Sequence, residues 1–182
     1  VWGDDPGARR VGASQGAIVV GTRADDDLVV SEVELARAAS RFVLVDAEGG
    51  RVSVQVGVPG AHNVANAAVA ASAGLLLGAS GSDVERGLSR FAGVPRRFEF
   101  RGEAAGAQLV DDYAHLPTEV RAAISAAGTG GYRRIVAVFQ PHRYTRTQAV
   151  AEDFEGAFDE ADLLVVTDIY SAGEEPIPGV SG

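Results

Sequence analysis

Five apolar residues in succession, Ile135-Val136-Ala137-Val138-Phe139, constrain this chain more than any other stretch. A strand sends alternate side chains to opposite faces, so an unbroken apolar run needs cover on both sides, which is the environment of a parallel strand packed between helices. The flanking pattern agrees. Upstream, Gln108-Leu109-Val110 reads as a strand and Pro117 to Ala127 as a helix stopped by Gly128. Downstream, a helix is expected around Ala149 to Phe158, followed by the strand Leu163 to Thr167. Strand, helix, strand, helix, strand is the order of a doubly wound, mainly parallel, Rossmann-like α/β fold. Right-handed crossovers place the loops that begin at Asp111, Gln140 and Asp168 on one edge, where such sheets bind ligands.

The first of those loops gathers ionisable groups, with Asp111, Asp112, Tyr113 and His115 ahead of the helix opening Pro117-Thr118-Glu119. A polar turn after a strand explains the cluster structurally, and a site on the ligand-binding edge explains it functionally. In the second loop, Arg143 and Arg146 stand three apart and suit a small carboxylate held bidentately. Alone they read as solvated surface; on the same edge as Tyr113 and His115 they read as an anion site. His62, His115 and His142 lie in separate loops without ligand spacing, so no metal site is assigned.

The N-terminal half carries less chemistry. Residues 1–30 are rich in Gly and Asp, with one short strand at Gly16 to Gly21. A hairpin is indicated from Arg41 to Val56, turning at Glu48-Gly49-Gly50, with Val52, Val54 and Val56 on one face. An alanine-rich helix is expected from Asn63 to Leu77, ended by Gly78, and a second helix with a capping box at Ser82 and with Leu88 and Phe91 on its apolar side. Asn63 and Asn66 point the same way on a helix. Their carboxamides suit an adenine edge, while a helix cap and a solvated amide are the structural alternative. Ala92-Gly93-Val94-Pro95 breaks the pattern and marks a boundary between domains at 1–93 and 94–182. Beyond it, Arg96 to Phe100 is expected to start a strand that pairs across Ala104-Ala105-Gly106. The Arg96-Arg97 pair is either a charged strand edge or an anion clamp.

Composition narrows the classes. At 182 residues, 46% hydrophobic and 23% charged, the chain can bury a sizeable core in one or two domains. A formal charge of -9 argues against a nucleic-acid partner, and no apolar run of about 18 residues, basic amphipathic helix or signal peptide points to a membrane, so a cytoplasmic location is the default. Without cysteine there is no disulfide, thiolate metal site or cysteine nucleophile. All 16 basic residues are arginine, so a GxxxxGK[ST] phosphate loop does not occur in this sequence. A chain that lacks Met and opens at Val1 in mid-pattern reads as an internal or processed piece.

Five blocks in order, GAHNVANA at 60–67, FAGVPRRFEF at 91–100, DDYAHLPTEVRA at 111–122, FQPHRYTRT at 139–147 and TDIYSAGEEPIPGV at 167–180, resemble the Mur ligase family. The similarity covers essentially the whole chain. The resemblance implies the end of a central ATPase domain followed by the first part of an amino-acid-binding C-terminal domain. It further implies ATP-dependent joining of L-alanine to UDP-N-acetylmuramate through an acyl phosphate, in peptidoglycan precursor synthesis. Carried over by motif, Asn63 and Asn66 are expected near the adenine of ATP, Arg97 against ATP, and Asp112 at the ribose. Tyr113, His115, Arg143 and Arg146 are expected around L-alanine, the arginines on its carboxylate. The family's phosphate loop, modified lysine and Mg2+ ligands are expected upstream of Val1, so no catalytic residue is assigned here and the chain alone is expected to be inactive. A ligase that recycles a tripeptide onto the same sugar is the nearest alternative, and a non-catalytic nucleotide or amino-acid module the more distant one. At Leu116 the sequence departs from the family pattern, where a second histidine is common; leucine neither donates nor accepts a hydrogen bond.

Overall fold

Two bodies of structure, Val1–Gly93 and Val94–Gly182, make up the computed structural model, which describes residues 1–182. In the first, the hairpin follows the alternation of its sequence. Strands β3 (Ala39–Asp46) and β4 (Arg51–Val56), the last two of a four-stranded sheet, pair antiparallel with Phe42 opposite Val54 and Leu44 opposite Val52. Phe42, Leu44, Val54 and Val56 therefore share one face, and all are buried. The turn is made by Asp46, whose carboxylate accepts the N–H groups of Glu48 and Gly50, and by Gly49 at φ 84°.

Helix α2 (Ala61–Leu76) lies on that face through Val64, Ala67, Ala68 and Ala71, and the small alanines let it pack close to the β3–β4 side chains. Gly78, at φ 91°, follows its end. Helix α3 (Gly81–Ser89) adds buried Val84. Its cap is Ser80, which exchanges bonds with Asp83, and not the expected Ser82; Leu88 packs on the core, whereas Phe91 lies beyond the helix and is exposed. Two elements appear where the sequence reading expects none. Helix α1 (Pro6–Gln15) is specified by its ends rather than an apolar stripe, with Asp5 accepting the Ala8 N–H at 2.6 Å, Pro6 in the first turn and Gly16 at φ 61° behind it. Strand β2 (Leu28–Ala36) pairs with β3 across an irregularity between Ser31 and Glu34, where Glu32 takes φ 51°, and this breaks its period-two pattern. The expected strand at Gly16 to Gly21 shrinks to β1 (Val20–Gly21), parallel to β2.

In the second body, β7 (Val136–Phe139) and β8 (Leu163–Val166) form the parallel pair, Val136 opposite Leu163 and Phe139 opposite Val166. With helix α4 (Pro117–Gly128) ahead of β7, the class is mixed α/β as expected. Three expectations need correction. The 108–110 strand is not part of the parallel sheet: β6 (Ala107–Asp111) pairs antiparallel with β5 (Glu99–Ala104), the hairpin closing through Ala105 and Gly106. Strand β5 begins at Glu99 rather than Arg96, because Arg96 and Phe98 take positive φ and form a turn. The helix expected at 149–158 is α5 (Tyr144–Val150) followed by a 3-10 turn at Glu152–Phe154, where Glu155 turns extended at ψ 124° and Gly156 follows at φ 72°.

The core of this body joins Val120 and Ile124 of α4 to Ala157, with Ala137, Phe139, Phe154 and Phe158 packed on it. The ring centres of Phe154 and Phe158 lie 5.1 and 5.3 Å from that of Phe139. The apolar run that predicts cover on two faces has it on one: Val136 and Val138 are exposed, as are all four residues of β8.

Candidate functional site

A segment that turns sharply at Arg96 and Phe98 is bolted to the end of β6 by one aspartate. Asp112 Oδ2 accepts the Phe98 N–H at 2.8 Å and Oδ1 accepts the Ala114 N–H at 2.7 Å, while Tyr113 N–H donates to the Arg96 carbonyl at 2.8 Å. Two backbone N–H bonds to one carboxylate make a firm clamp. The guanidinium of Arg96 is held over the Tyr113 ring, 4.6 Å from its centre, with that of Arg97 at 6.0 Å.

From Tyr113 the chain runs into α4 through His115 and Leu116. The N–H groups of His115 and Leu116 donate to Glu119 Oε2 at 3.0 and 3.2 Å. Leucine has no acceptor with which to complete a capping box, so Glu119 serves this helix end alone. His115 Nδ1 lies 2.9 Å from the Tyr113 carbonyl and 3.3 Å from Glu119 Oε2. Arg97 Nη1 reaches Glu119 Oε1 at 3.4 Å. Desolvation opposes ionisation of Glu119, but the His115 and Leu116 N–H groups, the charge of His115 and the hydrogen bond from Arg97 outweigh it and hold its pKa below the usual glutamate value.

The ends of β6 and β7 face a cavity of about 590 Å³, walled by Arg96, Asp111, Asp112, Tyr113 and His115 on one side and by Val138, Gln140, His142 and Tyr170 on the other. Its rings form a chain: Tyr113 lies 5.2 Å from His115 and 6.5 Å from His142, and His142 lies 5.3 Å from Tyr170. His142 Nδ1 is buried without a hydrogen-bond partner. Burial first, then the charges of Arg146, Arg143 and His115, lower the pKa of this imidazole.

Arg143 takes φ 73° immediately before α5, a strained conformation for a residue with a Cβ, and it is held there by its own N–H donating to Tyr170 O at 2.8 Å. Glu174 completes the corner. It accepts the Thr145 N–H at 3.0 Å and hydroxyl at 2.8 Å and stands 3.9 Å from Arg143 Nη1, and these bonds lower its pKa.

The structure thus gathers Asp112, Tyr113 and His115 at one cavity. Arg97, Arg143 and Arg146 lie outside its wall, and Arg143 and Arg146 flank and open a helix rather than sharing a loop. Asn63 and Asn66 belong to the other body. Asn63 is in the first turn of α2, where Gly60 occupies the cap, and its amide donates to Pro59 O at 2.7 Å; Asn66 is exposed. Of the arginine pair weighed as an anion clamp, it is Arg96 and not Arg97 that lines the cavity. Two further cavity residues escape the sequence reading: His142 is weighed only as a metal ligand, and Tyr170 carries no signal beyond its place in a strand-end loop. No group of three or more His, Asp or Glu side chains is arranged to hold a metal ion.

Residues 96–181 match the family described as Mur ligase, glutamate ligase domain. The chain is 44% identical over 185 aligned positions, its whole length, to the UDP-N-acetylmuramate--L-alanine ligase of Nitratidesulfovibrio vulgaris, and 49% identical over 128 positions, 70% of its length, to that of Geotalea daltonii. It spans 40% and 28% of those two relatives. Among solved structures it is similar to the UDP-N-acetylmuramate-alanine ligase of Thermotoga maritima, with a TM-score of 0.76 and 27% identity over 93% of this chain and 37% of that one.

Proposed function

The chain belongs to the Mur ligase family, and on that premise we propose that it serves the ATP-dependent ligation of L-alanine to UDP-N-acetylmuramate. In this reading Val1–Gly93 is the end of a central ATP-binding domain and Val94–Gly182 the first part of an amino-acid-binding domain. The observation that carries it is the cavity at the strand ends, where Tyr113 and His115 share the wall with His142, whose imidazole feels the charges of Arg143 and Arg146, on a chain whose whole length aligns with an alanine-ligase relative.

The chemistry asks for two steps. ATP transfers a phosphoryl group to the muramate carboxylate, and the free amine of L-alanine then attacks the carboxyl carbon of the acyl phosphate. The carbon–oxygen bond to phosphate breaks, an amide forms, inorganic phosphate leaves and the amine gives up a proton. This chain contributes binding and orientation, which convert a bimolecular attack into a positioned one. Arg143 and Arg146 hold the L-alanine carboxylate by charge-assisted bonds, with Tyr113 and His115 around its amine and methyl group. Arg97 offers guanidinium donors to ATP. Asp112 uses one lone pair on each oxygen for the backbone and retains others for ribose hydroxyls. Asn63 retains its amide oxygen and Asn66 its whole amide for adenine. Mg2+ would supply charge neutralisation of the phosphates, and no group of three or more carboxylates or imidazoles in this chain is arranged to hold it.

The test is ADP release by the full-length protein given ATP, Mg2+ and UDP-N-acetylmuramate. Turnover dependent on L-alanine supports the reading. Turnover only with a tripeptide acceptor moves it to the recycling ligase, and none with either, in folded protein, leaves a binding module.

A further inference from the structure

We infer that Glu119 is a positioning residue that sets Arg97 and His115 together, so that the proposed nucleotide and amino-acid contacts are held by one carboxylate. The inference rests on the ligase reading for the roles of those two residues, but the bridge itself is geometric. A helix cap needs one carboxylate oxygen, and Oε2 supplies it by accepting the His115 and Leu116 N–H groups. The other oxygen turns away from the helix to Arg97, 22 residues upstream in the chain. Oε2 also stands 3.3 Å from the His115 ring. Arg97 and His115 both lie near the Tyr113 ring, at 6.0 and 5.2 Å, so Glu119 closes a circuit of four side chains, two of which, Tyr113 and His115, line the cavity.

This arrangement leaves both partners able to bind. Arg97 spends one of its five N–H donors on Glu119 and its side chain is 49% exposed, so its remaining donors can meet an anion. His115 has Nδ1 engaged by the Tyr113 carbonyl, which leaves Nε2 for a ligand. A shift of Glu119 that follows one ligand is therefore transmitted to the other residue, and the two sites acquire a coupling that is reciprocal.

Glu119→Gln in the full-length protein keeps shape and removes charge. The expected result is a rise of about threefold to tenfold in KM for both ATP and L-alanine, as for loss of one charge-assisted contact at each. Adding Leu116→Ser to that variant supplies a hydroxyl cap for the Glu119 N–H and separates the two roles. Recovery of Tm with both KM values still raised supports positioning. Recovery of both KM values together with Tm, or a KM change confined to one substrate, or none, overturns it. If the wild-type protein shows no ligase turnover, the ligase reading fails, and NMR of the Arg97 Nε–H and His115 amide still decides the bridge: Glu119→Gln moves both resonances if it exists and leaves Arg97 unmoved if it does not.

Discussion

Asp112 shows how closely structure and proposed function share a residue. Its oxygens tie the Arg96–Phe98 turn to the cavity, so changes here act on folding before they act on a ligand. Asp112→Asn retains one acceptor and loses the charge, and is expected to lower unfolding free energy by about 1 to 3 kcal/mol in denaturant titration; unchanged stability would mean that the clamp is dispensable. His142 makes a pH prediction. Its pKa is depressed in the folded chain, so the unfolded chain takes up a proton first as pH falls below the ordinary imidazole value of about 6.5. Stability is insensitive to this group above that value and declines below it, toward the folded pKa. His142→Asn should flatten that part of the stability curve, and a slope that persists unaltered in the variant would assign it elsewhere. The depressed Glu119 and Glu174 act in a lower window, their stabilisation present above the ordinary glutamate value and lost as pH falls through their folded pKa. At this scale the sequence displays the dense turn at 111–115, because residue types are visible in it. That Arg96 rather than Arg97 lines the cavity depends on a positive φ, which no spacing rule reveals.

Among the elements, legibility follows the origin of each one's stability. The β3–β4 hairpin and α2 are written in apolar periodicity and in Gly49 and Gly78, and both form where expected. Helix α1 is made by caps and buries only Gly12, and β2 is interrupted by a bulge, so a periodicity search misses both. The exposed faces of β7 and β8 show the converse, since an apolar run records what a strand can bury and not what covers it. Phe42, 2% exposed at the centre of the first core, gives the element-scale test. Phe42→Ala should cost about 3 to 5 kcal/mol in equilibrium unfolding, and a loss below about 1 kcal/mol would show that the core refills the space. Helix α5 makes another. Its first turn takes its acceptor from Glu174, 29 residues away from Thr145, so Glu174→Gln should speed hydrogen exchange at the Thr145 amide while leaving α4 amides unchanged. Equal rates in variant and wild type would remove Glu174 as the outside cap.

For the whole molecule, two bodies of different architecture each carry part of the proposed residue set, Asn63 and Asn66 on one and the remainder on the other. The relatives are more than twice as long as this chain, and a sequence without lysine has no GxxxxGK[ST] loop, so the 182 residues alone are expected to release no ADP. The family was legible because motif blocks are sequence objects, whereas the antiparallel placement of β6 and the composition of the cavity wall are products of packing. In the proposed function the second body holds the amino acid through Arg143 and Arg146. Steady-state kinetics of Arg143→Gln and Arg146→Gln in the full-length protein decides this. Each substitution is predicted to raise the L-alanine KM by about tenfold or more, the loss of a charge-assisted contact, with the ATP KM nearly unchanged. An ATP KM that rises while that for L-alanine stays put would contradict the assignment and give this corner to the nucleotide.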